Sequence, residues 1–129
     1  MDGGRVLGLG GVFLDADDPE GLAGWYREAL GLTFRRDSDG CLCADFPERD
    51  HADPATVHEV ALTLRPRRPG TPRAAPLVTY RVRGLAALLL RLQARGAAVD
   101  GPRTLPFGAF AWTADAEGNP VELYEPQAP

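Results

Sequence analysis

Apolar residues along the chain fall into short alternating runs broken by two helical stripes, and this order of blocks occurs twice. Leu22, Trp25, Tyr26, Ala29 and Leu30 stand at i, i+3, i+4, i+7 and i+8, the single stripe of an amphipathic helix. Asp18 suits its N-cap, Pro19 its first position and Gly31 the left-handed residue past its end. Val6 to Leu14 alternates loosely as a strand before this helix. After it, Leu32 to Arg36 predicts a strand, Asp37-Ser38-Asp39-Gly40 a hairpin turn and Cys41 to Phe46 the returning strand. Pro47 to Ala55 reads as a polar loop, and Val57 to Leu64 as a fourth strand.

The segment from Arg65 to Pro76 contains Pro66, Pro69, Pro72 and Pro76, which predicts a semi-rigid linker with solvated arginines. Beyond it the order returns. Leu77 to Val82 is a strand, and Leu85, Leu88, Leu89 and Leu92 make a helical stripe ending at Gly96. Ala98 to Thr104 holds a short strand broken by Gly101-Pro102, followed by strands Ala109 to Ala114 and Val121 to Glu125. Gly31 and Gly96 stand 65 residues apart, so the repeat spans nearly the whole chain. The expectation is an α+β fold of two βαβββ modules, residues 5–65 and 77–126, joined by linker 66–76 within one domain, 1–129.

Composition narrows the function. The 129 residues, 44% hydrophobic and 25% charged, are those of an ordinary globular protein. A net charge of −4 gives no electrostatic reason to expect nucleic acid as a partner. All 14 basic residues are arginine, which reads as compositional bias and not as an anion site. The N-terminus carries no signal-peptide pattern and the sequence has no spanning apolar run, so no membrane association and a cytoplasmic location are expected. Cys41 and Cys43 are too close for an unstrained disulfide and lack well-spaced partners for a zinc site; they are expected to be reduced thiols.

The candidate chemistry lies at the end of the second half. Asp115 to Asn119 predicts a tight turn, with Gly118 free to take positive φ and Asp115 and Asn119 able to bond nearby amides. In the strand that leaves it, Glu122 and Tyr124 share one face, and Phe110 and Trp112 share a face of the strand before. Alternation likewise groups Gly11, Phe13 and Asp15, and Leu77, Thr79 and Arg81. The expected ligand-binding set is therefore Phe13, Thr79, Arg81, Phe110, Trp112, Glu122 and Tyr124: aromatic walls with a few polar anchors. A buried Glu122 needs a partner, for which Arg81 is the candidate. Trp25 and Tyr26 are expected to be structural.

Three segments resemble the vicinal oxygen chelate superfamily of glyoxalases, bleomycin-resistance proteins and extradiol dioxygenases. They are Gly11-Val12-Phe13-Leu14 with the helix from Asp18 to Leu32, the helix Leu85 to Gly96, and the turn and strand Asp115 to Pro126. The resemblance implies modules whose sheets curve around a site, often in a homodimer. It implies metal ligands at positions that here fall on Gly11, on Leu77, at or close to Leu62, and on Glu122. Only Glu122 offers a donor, and three or four are needed to hold a catalytic divalent ion. His58 is the candidate replacement if a divalent metal is bound. The expected function is metal-independent binding of a hydrophobic or aromatic small molecule, with no cofactor. The alternative is a metal-dependent lyase, isomerase or dioxygenase using Glu122 as its catalytic or ligating residue.

Overall fold

A computed structural model describes residues 9, 11–72 and 76–127. The expected strand start at Val6 and linker residues 73–75 lie outside the described residues. The first half builds a four-stranded sheet from β1 (Gly11–Ala16), β2 (Arg35–Arg36), β3 (Leu42–Arg49) and β4 (Val57–Pro66), in the order β1-β4-β3-β2. The second half builds another from β5 (Val78–Arg81), β6 (Asp100–Leu105), β7 (Gly108–Ala114) and β8 (Pro120–Pro126), in the order β5-β8-β7-β6. In each sheet the first strand pairs parallel with the last, and the other pairs are antiparallel. A parallel pair needs a crossover, supplied by helix α1 (Pro19–Trp25) in one half and α2 (Leu85–Ala94) in the other. The expected α+β fold is present.

Helix α1 begins where the sequence placed it, with the Asp18 carboxylate accepting from the Gly21 amide at 3.1 Å. Past Trp25 it widens into a π-helical segment, Tyr26–Leu30, which closes at Gly31 with φ 76°. The single α-helical stripe did not foresee this change of pitch. With it, the stripe is divided between two cores. Leu22, Ala23 and Tyr26 pack with Leu14, Leu62 and Leu64 of the first sheet. Ala29 packs with Leu85, Leu89, Leu92 and Leu123 of the second half, while Trp25 and Leu30 touch both cores. Truncating any of these buried leucines to alanine costs about 2–5 kcal/mol.

The helical layer also joins the halves. Arg91 Nε donates to the Ala29 carbonyl at 3.0 Å, and Arg95 pairs with Glu28 at 3.1 Å. Val78 and Tyr80 of β5 pack against the first core. The helices thus lie on the inner side of each sheet and the opposite faces turn outward, where Phe13 is 55% and Leu77 56% exposed.

Several boundaries differ from the sequence expectation. Strand β3 continues through Pro47 to Arg49, residues expected in a loop. Proline is tolerated there because β2 pairs only with Leu42 and Cys43, leaving the far end of β3 an edge that needs no donor. The loop shrinks to the Asp50–Thr56 turn, closed by the Asp50 amide on the Thr56 carbonyl at 2.9 Å. Leu32 to Phe34 packs on the core without joining the sheet, so β2 is two residues long. Strand β4 runs on to Pro66, and two arginines expected to be solvated are paired: Arg65 with Asp15 and Arg67 with Asp17, each at 2.7 Å.

Candidate functional site

With the helices covering one face of each sheet, alternate residues line the open face. Strand register sorts them into cross-strand rows. In the second sheet one row is Thr79, Glu122, Trp112 and Asp100, and the next is Arg81, Tyr124, Phe110 and Arg103. The matching row of the first sheet is Phe13, Thr63, Cys43 and Arg35, of which Thr63 and Cys43 are buried. Where the second sheet holds a carboxylate flanked by two donors, the first holds a hydroxyl beside a thiol: Cys43 Sγ and Thr63 Oγ1 are 3.3 Å apart. Cys41 and Cys43 are both free thiols.

Glu122 is held from both sides. Thr79 Oγ1 donates to its Oε1 and Trp112 Nε1 to its Oε2, each at 2.7 Å. Strand pairing dictates this, because Thr79 and Trp112 stand directly opposite Glu122 on β5 and β7. Next to the carboxylate lies a rack of rings. Phe110 is stacked at 13° on Trp112, with centroids 6.3 Å apart, and at 23° on Tyr124, 4.7 Å apart. Phe107 packs edge-on against Phe110 at 5.9 Å and is 57% exposed. The Arg103 guanidinium carbon lies 5.6 Å over the Trp112 ring, within cation–π range. Gly108 lets β7 and β8 close under this rack, since a Cβ there would come 2.5 Å from the Glu125 carbonyl and 2.6 Å from the Tyr124 ring.

Of the expected set, Thr79, Phe110, Trp112, Glu122 and Tyr124 are brought together. Phe13 is not among them: it lies on the first sheet, under the Arg65 guanidinium at 5.1 Å. Arg81 does not partner Glu122, whose two oxygens already have donors; its NH2 lies 3.9 Å from Glu48 of β3. Phe107 and Arg103 were missed. Phe107 sits in the β6–β7 turn, and a register shift between Asp100 and Arg103 sets Arg103 opposite Phe110, which alternation alone does not reveal.

The family metal positions do not fit an ion. The place expected at or close to Leu62 falls on Thr63 by register, since Leu62 is 3% exposed in the first core and Thr63, opposite Phe13, stands where Glu122 stands in the second sheet. His58 bonds Asp50 at 2.8 Å in the first sheet. At Gly11 an added Cβ would meet the Ala61 carbonyl oxygen at 2.8 Å, so no side chain enters there without a strand shift. Leu77 has no donor atom. Among the described residues no three His, Cys, Asp or Glu side chains cluster as a metal site.

The Asp115 turn positions the Glu122 strand and ties it to the first half. Asp115 Oδ1 accepts from the Glu117 and Asn119 amides, each at 2.9 Å, and Oδ2 from Asn119 Nδ2 at 2.7 Å. The sequence predicted such bonds within the turn. It did not predict that Tyr26 Oη, buried in the helical layer, donates to Oδ2 at 2.9 Å. Nor did it predict that the Glu117 carboxylate accepts from the Asp17 and Asp18 amides at 2.7 and 2.8 Å. Tyr80, 6.0 Å from Tyr26 ring to ring, buries a hydroxyl that meets no partner in hydrogen-bond geometry among the described residues. Burial pushes the Tyr80 phenol up to about 12 and holds that of Tyr26 protonated well above its ordinary value.

A model of the glyoxalase-like domain matches residues 11–124, nearly all the described chain. The chain belongs to the glyoxalase-like family. This agrees with the resemblance to the vicinal oxygen chelate superfamily. Among solved structures, the chain is similar to TnmS3, an antibiotic-binding protein from Streptomyces sp. CB03234. The two are 25% identical over 95% of this chain and 98% of that one, with a TM-score of 0.71. A glyoxalase/bleomycin resistance protein from the same strain is also 25% identical, over 91% and 99% of the two chains, with a TM-score of 0.67. The oxidase ChaP-H2, 14% identical over 95% and 96% of the chains, shares the fold with a TM-score of 0.74. No curated protein gives a significant match. The glyoxalase-like fold therefore carries binders and enzymes alike, and no described helix is long and apolar enough to cross a membrane.

Proposed function

We propose that this glyoxalase-like protein binds a planar, largely hydrophobic small molecule on the open face of its second sheet, without a metal ion. The observation that carries this reading is the Glu122 carboxylate fixed by Thr79 and Trp112 beside the Phe110–Tyr124 stack. Flat aromatic surface supplies most of the contact energy, and a pre-oriented carboxylate accepts from an N–H or O–H on the ligand. Fixing Glu122 in advance removes an ordering cost of about 0.5–1.5 kcal/mol from binding. Each Glu122 oxygen keeps a lone pair for a ligand donor, whereas no three His, Cys, Asp or Glu side chains among the described residues converge to hold a divalent ion, which supports binding over Lewis-acid chemistry. The likeness to an antibiotic-binding protein points the same way.

The binding unit we propose is a homodimer. Phe13, Leu77 and Phe107 leave apolar side chains more than half exposed on outward faces, and a second copy placing its first sheet over the partner's ring rack would cover them. Titration of planar aromatic ligands, followed by tryptophan fluorescence, tests the proposal. Saturable binding weakened about tenfold by Glu122→Gln is expected, the size of one charge-assisted hydrogen bond. Absence of saturable binding across a broad panel by folded protein sinks it. Metal analysis of protein purified without chelator tests the enzymatic alternative: a stoichiometric transition ion lost on Glu122→Gln would replace the binding reading with that one.

A further inference from the structure

Away from Glu122, a groove of about 580 Å³ runs between the two halves, within the range of small-molecule sites. Its floor is apolar, with Leu30 and Phe46 from the first half and Leu88 from α2. Its wall on the second half carries Arg81, Arg83 and Arg91. Among the described residues the one acidic side chain lining it is Asp45, and that carboxylate is already engaged by Arg35 through two hydrogen bonds, at 2.5 and 3.0 Å. Arg81 reaches Glu48 only at 3.9 Å, and Arg91 spends its Nε on the Ala29 carbonyl. Arg83 has no ion pair or hydrogen bond among the described residues and is exposed. At Gly84 the amides that open α2 are taken by the Glu125 carboxylate, so the positive character of the wall comes from the arginines.

In a chain of net charge −4, these three arginines meet acids that are already engaged, Asp45 by Arg35, Glu48 by Arg81 and Glu125 by the Gly84 and Leu85 amides, and form a local positive excess. The overall composition hid it, because the three come from the end of β5, the turn after it and the last turn of α2. We infer that this groove is a second binding site, for a small amphipathic carboxylate whose charged end meets Arg83 and its neighbours and whose apolar body lies on Leu88 and Phe46. Guanidinium groups match a carboxylate in shape and charge, and the apolar floor rejects simple inorganic anions by offering them nothing. An occupant would touch both halves and stabilise their packing by mass action.

Calorimetric titration of the full chain tests the inference, with octanoate as probe, octan-1-ol as its uncharged counterpart and inorganic phosphate as charge without an apolar body. Octanoate is expected to saturate at one per chain, with octanol and phosphate at least about tenfold weaker, one guanidinium–carboxylate contact being worth that factor. Arg83→Glu should weaken octanoate by about tenfold or more, and the charge-matched Arg27→Glu, on the π-helical segment, by less than about twofold. Ala87→Trp, which fills the groove from an exposed position on α2, should abolish binding. Circular dichroism and urea midpoints confirm that each variant is folded. Failure of octanoate to saturate folded wild-type protein overturns the inference. So does equal binding of octanol, or indifference to both Arg83→Glu and Ala87→Trp.

Discussion

Tyr26→Phe removes one oxygen atom from the centre of the molecule and tests whether the two halves are latched through the Asp115 turn. Tyr26 is 1% exposed, and its hydroxyl donates at 2.9 Å to a buried carboxylate. The ring stays and its packing against Trp25 at 5.1 Å is kept, so no large cavity opens. The loss is one charge-assisted hydrogen bond, about 1.5–3 kcal/mol. Asp115 keeps its bonds from the Glu117 and Asn119 amides and from Asn119 Nδ2, which places the expected value near the lower end, about 1.5 kcal/mol. For a chain of this size that lowers the melting temperature by roughly 5 °C. Urea unfolding at neutral pH measures it: the midpoint should fall while the slope stays constant. Because Asp115 opens the turn that leads into β8, ligand affinity at Glu122 should fall as well. An unchanged or higher urea midpoint refutes the latch.

Tyr80→Phe should move the other way, raising stability by up to about 1 kcal/mol in the same assay, because it deletes a buried hydroxyl that meets no hydrogen-bond partner among the described residues. Acid stability follows from three aspartates held below their ordinary pKa: Asp45 by the Arg35 hydrogen bond, Asp37 by the Cys41 amide and Asp50 by His58. Their contribution is complete above the unfolded value of about 3.9 and is lost as pH falls through the lower folded values. Urea midpoints should therefore decline below about pH 4, less steeply in Asp45→Asn. At the alkaline end the raised Tyr26 and Tyr80 reverse the sign: stability holds below the unfolded tyrosine value of about 10 and declines above it. Gly11→His, which restores a family metal position, should cost about 1–3 kcal/mol through its clash with the Ala61 carbonyl and bind no stoichiometric metal. Tight one-to-one zinc or nickel binding by that variant contradicts the account of the site.

The sequence by itself determined the parts that depend on local pattern. Helical stripes, strand alternation, Asp18 as a cap, Gly31 as a stop and the Asp115–Asn119 turn all rest on spacing within a few residues, where backbone geometry leaves few choices. The grouping of Phe110, Trp112, Glu122 and Tyr124 was legible for the same reason, since strand parity assigns a face. Tertiary structure alone decided which residues from distant strands meet. Register put Thr79 and Trp112 on Glu122 and denied it to Arg81; an irregular edge strand set Arg103 over Trp112; the π-helical segment shared one stripe between two cores. The groove arginines gain their common environment only when the halves pack, as does Tyr26 its bond to Asp115, 89 residues away. Hydrogen bonds and charges act over a few ångströms, and the chain order that fixes local pattern carries no measure of that distance.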